Sequence, residues 1–116
     1  MIEVSNMSAY SIPGFVIIGE ANAGEVIRSV CEYFDITEAE MKKDRHKPNI
    51  VFPRFIAMYL LSVECKLSLG SIAKIFGKRD HTTVMNAKKR INDFISIKDE
   101  TTISSLKAIR RAIKIK

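Results

Sequence analysis

Residues 53–63 place the tightest limit on what this chain can fold into. After Pro53 come Phe55, Ile56, Ala57, Met58, Tyr59, Leu60, Leu61 and Val63, apolar at nearly every step. A helix that is apolar almost all round has no face to give to solvent, so this segment is predicted to be the buried central helix of a bundle. Pro53 is expected at its first position, where the missing N–H costs nothing. The full length of 116 residues suffices for one domain with a real core and is too short for two.

The flanking segments supply helices to surround it. From Ala23, the residues Val26, Ile27, Val30, Cys31 and Phe34 form one apolar stripe that stops near Asp35. Thr37 precedes Glu40 at capping-box spacing, which predicts the start of a short helix. A basic loop is expected next, over Lys42, Lys43, Asp44, Arg45, His46, Lys47, Pro48 and Asn49. Ser68 is placed to cap a helix whose core face is Leu69, Ile72, Ala73 and Phe76, with Gly77 just past its end. Asp80 is a strong N-cap for a long helix with Val84, Ala87, Ile91, Phe94 and Ile95 inward. Asp99 caps a last helix, apolar along Ile103, Leu106, Ile109 and Ile113 and basic along Lys107, Arg110, Arg111 and Lys114. The predicted fold is therefore all-α. Residues 1–19 read as an N-terminal arm interrupted by Pro13-Gly14, flexible or strand-like, and residues 20–116 as the helical domain. Phe15-Val-Ile-Ile18 can pair as a short strand or lie on the body, and the residues do not choose between these.

Charge is divided unevenly along the chain. Residues 1–41 hold seven acids against Arg28 alone, whereas residues 42–116 hold the other 18 lysines and arginines against six acids. A basic body suits a polyanionic partner, though a solubilising surface would look the same. Cys31 and Cys65 sit in apolar helical patterns and are expected to be buried thiols. No secretory signal or membrane-length apolar run is visible, so the expected location is cytoplasmic. Cys31, His46, Cys65 and His81 fit no zinc spacing. Asp80 and His81 are neighbours that point differently from a helix, poor partners for acid–base work. The expectation is a protein that is not an enzyme and has no metal, cofactor or small-molecule substrate.

Two short-linked helices with glycine in the turn outline a helix-turn-helix. The polar face of the second helix sharpens that outline. Thr82, Thr83, Asn86, Lys89, Arg90 and Asp93 are left outward, and Thr82, Asn86 and Arg90 share a face at i, i+4, i+8 spacing. Short hydrogen-bonding side chains and a threonine methyl suit base edges in a major groove, and lysine and arginine suit the phosphates. Each residue also has a plainer reading. Asp80 is an N-cap first, His81 can be an ordinary exposed histidine, and Lys88-Lys89-Arg90 can be a solvated face.

The segment Leu67-Ser-Leu-Gly-Ser-Ile-Ala-Lys-Ile-Phe-Gly-Lys-Arg-Asp-His-Thr-Thr-Val84 resembles the signature of the C-terminal DNA-binding domain of the bacterial replication initiator DnaA. Gly77-Lys-Arg-Asp-His-Thr-Thr-Val84 is its most specific part. Ile50–Leu61 resembles the preceding helix and Val30–Ile36 the opening helix, so the resemblance runs from about Ala23 to the C-terminus. It implies a helical bundle with a Trp-repressor-like helix-turn-helix that binds short origin boxes in double-stranded DNA. It further implies base-edge roles for Asp80, His81 and Thr82, and phosphate or supporting contacts from Arg79 and Thr83; Lys78, Arg79, Lys89 and Arg90 are expected to carry affinity that does not depend on sequence, with Asn86 on the same DNA-facing side. The turn at Ser68, Leu69 and Gly70 would meet the DNA backbone, and the loop with Arg45, His46 and Lys47 would lie along a minor groove.

Two departures stand out. His46-Lys47-Pro48 occupies a place where the family often has arginines, which a narrow minor groove prefers. A relaxed or altered box preference is expected. The family's ATPase is absent from this sequence: Gly19-Glu-Ala-Asn-Ala-Gly24 is followed by Glu25-Val26, where a phosphate loop needs lysine and then serine or threonine. The alternative function is a protein-interaction module that binds or competes with a replication initiator or another regulator. A third possibility, the last helix lying on an anionic membrane, competes with its packing on the bundle.

Overall fold

The computed structural model describes residues 22–43, 46–77 and 80–115, with backbone only at the last two. The arm expected over residues 1–19 lies outside the described residues, as do Arg45, Lys78 and Arg79. Among the described residues there are six helices and no strand: α1 (Ala23–Phe34), α2 (Glu38–Lys42), α3 (Pro48–Val63), α4 (Leu69–Ile75), α5 (His81–Ser96) and α6 (Glu100–Ile115).

Local rules account for most of the helix starts. The Asn22 side chain accepts from the N–H groups of Gly24 and Glu25 and opens α1. Thr37 and Glu40 close the capping box in both directions, at 3.0 and 2.9 Å. Ser68 accepts from Ser71 N–H, and Asp80 accepts from Thr82 N–H at 2.9 Å.

α3 departs from the sequence expectation at its start. Pro48, not Pro53, takes the first position, and Lys47 is the N-cap, its carbonyl accepting from Ile50 and Val51. Pro53 is buried inside the helix. It cannot donate to the Asn49 carbonyl, but Asn49 is exposed and water can serve that oxygen. The expected loop over Lys42–Asn49 is correspondingly shorter: Lys42 ends α2, and Pro48 and Asn49 belong to α3.

α3 is the hub, packing against α1, α2, α4 and α5. Ile56, Ala57, Met58, Leu60 and Leu61 are fully buried, as an all-round apolar helix requires. Val26 and Val30 of α1, Ile72 and Ala73 of α4, and Val84, Ala87 and Ile91 of α5 complete the same core. Cys31 and Cys65 are free, buried thiols, and burial pushes Cys31 up to about 11, so it stays protonated and unreactive.

α6 covers the bundle through Leu106, Ile109 and Ile113, packing on α1 and α5. Its buried side also includes Thr102 and Ser105. Their hydroxyls donate to the Asp99 carboxylate and the Thr101 carbonyl, both at 2.7 Å, which makes burial tolerable. Arg110, expected on the solvent side, is half-buried and its Nε donates to Glu64 at 2.7 Å, tying α6 to the end of α3.

Between α4 and α5 the chain turns at Gly77, whose φ is +68°. A Cβ there would meet nothing within 4 Å, so the requirement is conformational and not spatial. Gly77→Ala is expected to lower stability by about 1–2 kcal/mol through the left-handed backbone alone. Gly77→Asn should lose less, because asparagine tolerates that region better. Urea unfolding of both variants checks this, and equal losses would contradict it.

Candidate nucleic-acid interface

α5 buries Val84, Ala87 and Ile91 and turns the opposite face outward. Asp80, His81, Thr82, Asn86, Lys89 and Arg90 are all exposed on it or at its start. Thr83, placed outward from the sequence, is half-buried, since it lies toward the Ala87 side of the helix. The geometry leaves Thr83 nearer the body than Thr82, which suits support better than base contact.

One close approach joins the two helices of the motif. The His81 ring lies across Gly70 near the start of α4, and its Nε2 would be 3.1 Å from a Cβ at that position. Glycine inside a helix carries an entropic cost; here its lack of a side chain leaves room for the imidazole. Through this contact the first turn of α4, with exposed Ser68 and half-buried Leu69, meets the first turn of α5. Ser68, Leu69, Asp80, His81 and Thr82 are thereby brought to one surface. His46 and Lys47 are exposed at the junction of α2 and α3. Lys89 is ion-paired with Asp93 at 3.0 Å, with both side chains well exposed. Such a pair contributes little, so the ammonium can exchange to a phosphate.

The Asp80 carboxyl is held below its ordinary value, first by the Thr82 backbone N–H and then by the Thr82 side chain. A carboxylate with a depressed folded-state pKa adds stability above its unfolded value, and this is lost as pH falls through the folded value. Asp80→Asn keeps a capping oxygen but does not titrate. Its melting temperature is therefore expected to approach that of the wild type as acid protonates Asp80. Melting curves taken from neutral pH down through the carboxylate range test this, and parallel profiles would contradict it.

Met85 was not among the residues read from the sequence, yet it is 54% exposed on α5. Its outward direction, one turn after Thr82, was readable from helical spacing. Among the described residues, no group of three or more histidines, cysteines or acids could hold a metal ion. No described helix is long and apolar enough to cross a membrane.

The family described as bacterial dnaA protein helix-turn-helix matches residues 23–91, from the start of α1 into α5. The chain is 38% identical over 89 residues to the chromosomal replication initiator protein DnaA of Mesorhizobium japonicum, covering 77% of this chain and 18% of that protein. It is 34% identical over 89 residues to the protein of the same name from Bartonella quintana, with the same coverage. The corresponding protein of Thermus thermophilus is 34% identical over 93 residues, covering 80% of this chain and 21% of the relative. The chain thus spans about a fifth of the length of the curated relatives it matches.

Proposed function

The chain belongs to the bacterial DnaA helix-turn-helix family, and from this premise we propose that it binds double-stranded DNA sequence-specifically, at origin or regulatory sites resembling the initiator box. Its role is in replication initiation or the regulation of it, without ATP hydrolysis by this chain. The observation that carries the reading is the contact of α4 with α5, where His81 lies across Gly70, together with the exposure of Asp80, Thr82 and Asn86 on α5 or at its start.

The division of labour follows from chemistry. Asp80, His81 and Thr82 supply preference, because they stand at the start of α5, where short side chains reach base edges. Lys78, Arg79, Lys89 and Arg90 supply affinity that does not depend on sequence, by displacing counterions from phosphates. Ser68 and Leu69 abut the DNA backbone, and Thr83 and Asn86 support the helix in the groove. Arg45, His46 and Lys47 follow the minor groove. With histidine and lysine at two of these positions, box preference is looser than an arginine-rich loop would give.

Fluorescence anisotropy with a labelled duplex carrying an initiator box, beside a scrambled duplex, at two salt concentrations, tests the proposal. The expected result is tighter binding to the box and a steep loss of affinity with salt. Equal binding to both duplexes would remove the sequence-specific part. An absence of binding at low salt would overturn the reading and favour a module that contacts a replication initiator or another protein instead.

A further inference from the structure

Gly70 is the second residue of α4, and its backbone is ordinary: among the described residues, the glycine with a positive φ is Gly77. No turn requires a glycine at position 70. The Ser68 side chain already caps α4 by accepting from Ser71 N–H at 3.2 Å. Glycine inside a helix weakens it relative to alanine, and α4 has only seven residues over which to absorb that loss. What the glycine leaves is space toward α5.

One side chain fills that space. A Cβ at position 70 would lie 3.1 Å from His81 Nε2, 3.6 Å from its Cε1 and 4.0 Å from its Cδ2, so the three nearest atoms all belong to the tip of one ring. His81 is otherwise exposed, and no hydrogen bond from a described residue holds its ring. The contact with α4 is therefore what restricts its rotamers. Carbon contacts are comfortable only beyond about 3.5 Å. A methyl at position 70 must push the imidazole aside by a small amount, and a branched side chain must displace it.

We propose that Gly70 is a positioning residue for DNA reading: having no side chain, it gives the His81 ring its place against α4, so that the residue at position 70 sets box preference through His81. This rests on the proposed function above, in which His81 supplies preference. A stronger helix former at position 70 would steady α4 and misplace the reader on α5. Stability and preference therefore pull this one position in opposite directions.

The test is a double-mutant cycle read as the ratio of affinities for a box duplex and a scrambled duplex, with wild type, Gly70→Ala, Gly70→Val, His81→Ala and the two double variants. His81→Ala should lower the ratio, within the roughly 5- to 150-fold that one base-edge contact provides. Gly70→Ala should lower it a few-fold and Gly70→Val by most of the His81→Ala loss. Neither should lower it further in the His81→Ala background. Gly70→Ala should at the same time raise the melting temperature, since alanine favours the helix. A purely structural role for Gly70 would move stability and leave the ratio alone. An unchanged ratio in both Gly70 variants, equal losses with and without His81, or a lower melting temperature for Gly70→Ala would overturn the inference. So would an unchanged ratio in His81→Ala. A wild type that binds both duplexes equally, or neither, would instead overturn the function on which the inference rests. If Gly70→Val does not fold, Gly70→Ala carries the cycle. Nuclear magnetic resonance on the wild type checks the contact itself: Overhauser effects are expected between the His81 ring protons and the Gly70 α-protons, and their absence overturns the inference.

Discussion

Thr82→Ala is expected to weaken binding to a preferred box by about 1–3 kcal/mol, roughly 5- to 150-fold, while leaving affinity for a scrambled duplex nearly unchanged. The residue stands in the first turn of α5 and is exposed. Its hydroxyl can exchange a hydrogen bond with a base edge, and its methyl can pack on the methyl of thymine. The substitution removes both groups, together with the Thr82 side chain's hydrogen bond to the Asp80 carboxylate. The N-cap bond runs from the Thr82 backbone N–H to Asp80, so it survives the change of side chain. Alanine also favours the helix more than threonine does. The backbone cap and the better helix former both keep α5 formed, and the scrambled duplex reports any general loss of binding. Anisotropy titrations against the two duplexes measure the effect. Equal losses on both would refute Thr82 as a reader of sequence.

The largest expected loss of stability is at Phe76, where Phe76→Ala should cost about 3–5 kcal/mol. Its side chain is 2% exposed and belongs to the main core. It ends α4, where its N–H is shared between the Ile72 and Ala73 carbonyls. Removing the ring leaves a cavity at the point where the chain turns toward α5, with Gly77 immediately following. A domain of this size has only about 5–15 kcal/mol of total stability, so the loss is a large share. Urea denaturation gives the figure directly. A loss below about 1 kcal/mol would mean that the site collapses around the smaller side chain, contrary to a close-packed core.

These two substitutions separate affinity from stability within one motif. Thr82 faces out from a helix that Val84, Ala87 and Ile91 hold from within. Phe76 belongs to the support beneath it. Each should therefore change one property strongly: box preference for Thr82, resistance to urea for Phe76.

The starts of the helices were legible in the sequence because capping is a matter of a few neighbouring residues. Thr37 with Glu40, Ser68 with Ser71, and Asp80 with Thr82 satisfy one another across two or three positions. The outward face of α5 was legible for the same reason, since helical spacing alone separates Thr82 and Asn86 from Val84 and Ala87. The start of α3 was not. Pro48 and Pro53 both suit a first helical position, and local preference does not rank them. The longer helix buries Ile50, which is 3% exposed.

What the sequence determined by itself was the set of helices, their buried faces and the turn at Gly77, all consequences of chemistry within about one helical turn. Tertiary structure alone decided which surfaces meet. Arg54 reaches carbonyls 11 and 13 residues earlier, and Arg110 reaches Glu64 across 46 residues. His81 lies across Gly70 only because α4 and α5 are docked together on α3. A period of 3.6 residues shows which side of a helix is buried, but it carries no information about the partner that buries it. That partner is selected by the joint packing of the whole core, and it is this packing that turns separate polar residues into one surface.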